Sequence, residues 1–201
     1  ATQNSVFLAV VGGFLSAILA VVASYIVLRT KAVGRNFIDV ASTLPLAVPS
    51  IALGIAFLWA WIYVPLPIYG TIWVLLIALV AKYITIGVRN VSASLTQVST
   101  ELEAAARVAG ASSAKSAVTI TFPLLRNTIV GVWILSFSLI IKELNVAILL
   151  YSHGSVVLPV LIFDAQEEGN FSQVAAMSVS LSLLILLAVW VSQRFMTTKL
   201  S

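Results

Sequence analysis

Of the 201 residues, 61% are apolar and 9% charged, and the mean hydropathy is +1.11. Soluble globular domains carry about 25% charged residues, so this composition excludes one and marks an integral membrane protein. A helical span takes roughly 20 mostly apolar residues, so the length holds about five spans and one substantial polar segment, with no room for a second soluble domain. The 11 Lys and Arg outnumber the 7 acids. In a membrane chain such an excess marks cytoplasmic loops rather than a nucleic-acid surface, and no nucleic-acid partner is expected. The lack of cysteine excludes a disulfide framework, a thiolate metal site and a Cys nucleophile. The opening Ala1-Thr2-Gln3-Asn4-Ser5 lacks the positive flank of a signal peptide, so the chain reads as a piece of a longer one.

Five continuous apolar runs follow in order, at residues 4–28, 37–63, 69–88, 128–151 and 171–191. Each is long enough to cross a hydrocarbon core of about 30 Å. They are rich in Val, Ile and Thr, but a membrane barrel shows alternating segments of about 10 residues, and these runs do not alternate, so all five read as helices. The expected fold is an all-α polytopic bundle, with 1–201 forming one unit.

The second run contains Pro45 and Pro49. A proline inside a helix removes a backbone bond and favours a kink, which either lines a cavity or is simply absorbed by packing. Val64-Pro65-Leu66-Pro67 then makes a short stiff turn to the third run, which carries Lys82. Between the third and fourth runs lies the long polar segment. Its part from Glu101 to Ala109 is built of strong helix formers with acids in the first turn, and Gly110 is a natural stop. Ser112 or Ser113 is placed to cap a second short helix running to Pro123. The expected result is a helix-turn-helix whose Ala104, Ala105, Ala106 and Ala109 offer a small-residue surface, either to another protein or to the chain's own bundle.

Lys142 and Glu143 fall inside the fourth run. A charge at the bilayer centre costs about 2.5–3.5 kcal/mol on insertion scales, so such residues face a bundle interior, a partner or water. As neighbours about 100° apart on a helix, the two are not an i,i+4 pair, and each needs another partner. Glu143 with Asn145 beside it reads as a gate or pathway lining, and Lys82 as half of an ion pair across helices or a snorkelling side chain. The connection 152–170 holds His153, Asp164, Glu167 and Glu168. Their spacing is too loose for a metal site, and none is expected.

Positive charge sets the orientation. Arg29, Lys31 and Arg35 follow the first run, Arg89, Arg107, Lys115 and Arg126 lie between the third and fourth, and Arg194 and Lys199 follow the fifth, whereas 64–68 and 152–170 hold no Lys or Arg. The positive-inside rule then puts the N-terminus outside and the polar segment and C-terminus in the cytoplasm.

The polar segment resembles the cytoplasmic signature loop of binding-protein-dependent ABC importer permeases of the type I fold. Ala105, Ala106, Gly110, Ile120 and Pro123 stand at matching positions. With the register fixed on Gly110 and Pro123, the signature glutamate falls on Ala104, Glu103 is one place earlier, and Phe122 stands where a leucine is usual. The likeness extends to the five spans and to Leu44-Pro45-Leu46-Ala47-Val48-Pro49. It implies a coupling helix that docks in a groove of a cytoplasmic ATPase, with Glu101, Glu103, Ala104, Ala105, Ala106, Gly110, Ala111, Ser112 and Pro123 as coupling residues, and a pathway involving Pro45, Pro49, Lys142, Glu143 and Asn145. It also implies two ATPase subunits that hold the ATP and Mg, a second permease half, a periplasmic substrate-binding protein and a lipid-embedded place in a bacterial inner membrane. The chain itself has no Gly-x-x-x-x-Gly-Lys-Ser/Thr loop, and is expected to bind no cofactor and to be non-catalytic. Lys142-Glu143-Leu144 and Leu149-Leu150-Tyr151-Ser152-His153-Gly154 are similar to the second half of ferric iron permeases, which makes ferric iron the leading solute. The competing readings are a gradient-driven secondary transporter, for which Glu143 is the one fitting buried acid, and a membrane scaffold without transport.

Overall fold

The computed structural model describes residues 1–63 and 68–197. The turn at 64–67 and Lys199 lie outside the described residues. All regular structure among those described is helical. In chain order it comprises α1 (Thr2–Arg29), α2 (Arg35–Ala47), α3 (Ser50–Tyr63), α4 (Ile72–Gln97), α5 (Thr100–Val108), α6 (Ser113–Ser116), a π-helical turn (Ala117–Thr121), α7 (Phe122–Ile140), α8 (Ala147–Leu150), α9 (Leu158–Glu167) and α10 (Phe171–Thr197). Four continuous stretches, Thr2–Arg29, Ile72–Gln97, Ser113–Ile140 and Phe171–Val191, are long and apolar enough to cross a membrane, and α2 with α3 meets that standard only as a bent pair, which is the geometry of a broken span or of a re-entrant loop.

The bundle is organised around α1, which packs against α4 and α7. Most of its buried positions are small, among them Ala9, Gly12, Gly13, Ser16, Ala17, Ala20 and Ser24. In lipid there is no hydrophobic drive between helices, and close backbone approach supplies the association energy instead. A Cβ at Gly13 would stand 3.0 Å from the backbone of Trp133 and Phe137, and one at Gly87 of α4 would stand 2.7 Å from Ala20 Cβ. Larger side chains fill the two ends of this contact. Leu8, Leu75, Leu79, Ile140 and Ile141 pack at one end, and Val88, Val91, Leu95, Leu125 and Val132 at the other. By contrast, α10 leans on α7 and α9 with none of its most apolar window buried, which leaves leucine-rich faces for lipid.

Four expectations about element boundaries change. The second run is not one kinked helix but two, bent by 116°. Pro49 lies in the break and drives Val48 into extended backbone (φ −96°, ψ 128°), as a residue before proline prefers, while α2 continues past Pro45. The fourth run is not continuous to residue 151: α7 ends at Ile140, and 141–146 form turns before the single-turn α8. Nor does the second helix of the polar segment stop at Pro123. It passes through the π-helical turn straight into α7, because the widened turn, closed by Phe122 N–H donating to the Ala117 carbonyl, accommodates the proline that follows. Finally, the connection 152–170 contains a helix, α9, with Pro159 in its first turn and Leu158, Val160 and Ala165 buried.

Candidate functional site

The polar segment folds as the helix-turn-helix that its residues suggest. Ser99 caps α5, its hydroxyl accepting from the Glu101 N–H at 3.1 Å, and Glu101 and Glu103 occupy the first turn. Gly110 sits at φ +91°, in the left-handed region that ends helices, and the Ala111 N–H reaches back to the Ala106 carbonyl at 3.0 Å. Ser112 then caps α6 by accepting from the Lys115 N–H at 3.2 Å.

The two faces of this unit differ. Outward lie Glu101, Ala104, Ala105, Gly110, Ser112 and Pro123, with Leu102 and Val108 exposed among them, Val108 at 91%. Ala106 and Ala111 are half-buried. Glu103 points the other way and is only 9% exposed. Its Oε1 accepts from the Thr121 hydroxyl at 2.6 Å and lies 3.6 Å from Arg29 Nε. Arg29, the last residue of α1, also donates through Nη2 to the carbonyls of Leu95 (2.9 Å) and Val98 (2.5 Å), where α4 ends and would otherwise leave carbonyls unpaired. Ser116 Oγ stands 3.5 Å from the Glu103 carbonyl, and Tyr25 meets Phe122 edge-on at 5.9 Å. One buried polar node thus fastens α5 to α1, α4 and the π-helical turn. Arg29 and Thr121 were not singled out from the sequence, although an arginine closing a long apolar helix is a recognisable signal.

The second cluster lies where α7 gives way to turns. Glu143 Oε2 pairs with Lys82 Nζ at 2.7 Å and accepts from the Tyr83 hydroxyl at 2.5 Å, while Oε1 accepts from the Val146 N–H at 3.3 Å. The ion pair expected of Lys82 is therefore made with Glu143, from α4 to the unwound stretch. Lys142 and Asn145 are exposed. Gly54 of α3 admits this stretch closely, since a Cβ there would stand 2.7 Å from Leu149 Cδ1 and 3.5 Å from Val146 Cα.

Pro45 is elsewhere. It lines an apolar groove of about 590 Å³ with Leu15, Phe37, Ser42, Leu76 and Ile84, between α1, α2 and α4. Glu143 borders a different and much smaller gap, lined by Ser5, Leu79, Ala147 and Pro159, so the structure does not bring the two into one cavity. Pro49 is exposed at the α2–α3 bend. On the other connection, His153, Asp164, Glu167 and Glu168 are exposed, and no group of three or more potential metal ligands gathers among the described residues. That connection is pinned to the start of α1, where Asn4 Nδ2 donates to the Val156 carbonyl at 3.0 Å and Ser5 Oγ accepts from the Leu158 N–H at 2.8 Å.

Comparison with known proteins places this geometry in context. Residues 8–198 match the family model described as "Binding-protein-dependent transport system inner membrane component". A protein of Salmonella paratyphi A named as a 2-aminoethylphosphonate transport system permease is 32% identical over 160 residues, which are 80% of this chain and 60% of that one. The ferric transport system permease protein of Actinobacillus pleuropneumoniae is 26% identical over 186 residues, 92% of this chain and 27% of that one. The chain thus spans less than two thirds of either relative. Among solved structures, a bacterial alginate ABC transporter in complex with an alginate pentasaccharide-bound periplasmic protein superposes with a TM-score of 0.80 at 16% identity, covering 98% of this chain and 77% of that one.

Proposed function

The chain belongs to the binding-protein-dependent transport inner-membrane component family, and on that premise we propose that it is the permease portion of an ATP-driven importer. The observation that carries this reading is the two-faced cytoplasmic unit. Its outer face offers small and apolar side chains around a glycine turn, and its inner face is tied to three membrane elements. A surface so built takes a push from a soluble partner and passes it on. In this proposal α5 docks on an ATPase subunit, one of two that bind the ATP and Mg. A second permease half completes the pathway, and a periplasmic binding protein delivers solute to the side where 152–170 lies. The N-terminus is outside and the C-terminus cytoplasmic, as the arginines and lysines at the other connections favour. The chain contributes no hydrolytic chemistry of its own; the Glu143 cluster holds the unwound stretch, with Lys142 and Asn145 at its exposed edge, where a pathway would run.

For the solute we infer ferric iron, supported by the likeness of 142–154 to ferric permeases and by the Actinobacillus relative, which matches nearly the whole chain. The higher identity of the Salmonella relative favours a second reading, 2-aminoethylphosphonate. Vesicles holding the full-length permease with its ATPase and binding protein should accumulate radiolabelled ferric iron only when ATP is supplied. Uptake of 2-aminoethylphosphonate instead would keep the importer and change the solute. Uptake driven by a proton gradient without ATP would overturn the proposal.

A further inference from the structure

We propose that the buried node formed by Arg29, Glu103 and Thr121 is the positioning device that links movement of α5 to the membrane helices; this rests on the coupling role proposed above for α5. Three observations support it. First, Glu103 is the one residue of the α5 first turn that is buried, and its carboxylate is held by the Thr121 hydroxyl at 2.6 Å and by the Arg29 guanidinium at 3.6 Å. The Thr121 bond to the carboxylate is charge-assisted and shielded from water, which makes it strong and directional, while the Arg29 contact is an ion pair beyond hydrogen-bond distance. Second, Arg29 simultaneously closes the C-terminal end of α4 through the Leu95 and Val98 carbonyls, so that displacement of Glu103 loads α1 and α4 together. Third, Thr121 ends the π-helical turn. Such turns often mark functional sites, and this one sits between α6 and α7. The node thus grips the chain at the turn that leads into α7.

The alternative is that the node only holds the fold. Two variants separate these roles: Thr121→Val removes the hydroxyl at nearly constant volume, and Glu103→Gln keeps an acceptor but removes the charge. Each is placed in the full-length permease, co-expressed with its ATPase subunit, and carries Asn145→Cys on the exposed edge of the unwound stretch. Co-purification of the ATPase reports assembly. The change in maleimide labelling of the new cysteine between the nucleotide-free state and the ATP-plus-vanadate state reports transmission.

The expected result is unchanged co-purification, with the nucleotide-dependent change in labelling reduced about 5-fold or more, the lower bound of a typical coupling between sites. Thr121→Ser, which restores the hydroxyl, should return the change to the native value. A full nucleotide response in both variants overturns this proposal and leaves the coupling role of α5 standing. Loss of the ATPase from both variants makes the node a structural clamp alone and also overturns it. Failure of the unmutated permease to hold the ATPase overturns the coupling role, and this proposal with it.

Discussion

The losses on removing Lys82 and Glu143 one at a time should together far exceed the loss on removing both. The two side chains are 14% and 8% exposed, with Nζ and Oε2 2.7 Å apart. Losing one partner of a buried pair typically costs about 3–5 kcal/mol, because the other charge is left uncompensated, whereas replacing both by groups of similar volume is often close to neutral. In Lys82→Met the carboxylate keeps the Tyr83 hydroxyl and the Val146 N–H, so the lower end, about 3 kcal/mol, is expected. Glu143→Gln leaves the ammonium buried beside an amide whose single oxygen can replace only one of the two accepting oxygens, and about 3 kcal/mol is expected. In the double variant Met fills the stem volume and no charge is left buried, so its loss should be about 2 kcal/mol rather than the sum of the single losses. The assay is equilibrium unfolding of the four full-length proteins in detergent. The coupling should be about 3 kcal/mol or more, well beyond the roughly 0.5 kcal/mol within which independent sites add. Additivity within that margin would refute the pairing.

Three further outcomes are expected. Glu143→Gln should abolish uptake in vesicles while the complex still assembles; uptake at the native rate would remove this residue from the transport pathway. Gly87→Ala should destabilise by about 1–3 kcal/mol, because its methyl would lie 2.7 Å from Ala20 Cβ at the α1–α4 contact, whereas Gly131→Ala, with nothing within 4 Å, should be neutral or stabilising by up to about 1 kcal/mol; thermal unfolding of both variants checks the contrast. The permease purified without ATPase subunits should hydrolyse no ATP above a detergent blank, and phosphate release that persists through repurification would contradict this.

What the sequence made legible was local in origin. The composition pointed to spans, Gly110 to a helix stop, Ser112 or Ser113 to a cap, and the prolines to a kink in the second run, which proves to be a break at Pro49; each is a preference expressed within a few residues. The features that escaped depend on distant partners. The fourth run reads as an unbroken apolar helix because nothing in its own periodicity shows that Glu143 will be held by Lys82 and Tyr83, some 60 positions earlier, and will tie down Val146 across the break. Likewise Glu103 looks like a first-turn acid favoured by the helix dipole, and its inward turn is decided by Thr121, 18 residues on, and by Arg29 at the end of another helix. The connection 152–170 reads as a loop since its apolar stretch, 156–163, is too short to span a bilayer and is flanked by glycines and polar residues. Pro159 in the first turn was the available sign that 158–167 would be helical.

The most direct test of the central claim uses the absence of cysteine from these 201 residues. A single Cys at Ala106, Ser112 or Ser113 of the full-length permease is paired in membranes with a single-Cys ATPase subunit, and oxidative cross-linking is followed with and without ATP. A specific cross-link from at least one position, whose yield changes with ATP, is the result expected if α5 and its turn couple to the ATPase. Absence of a cross-link at all three positions in an assembled complex would contradict it.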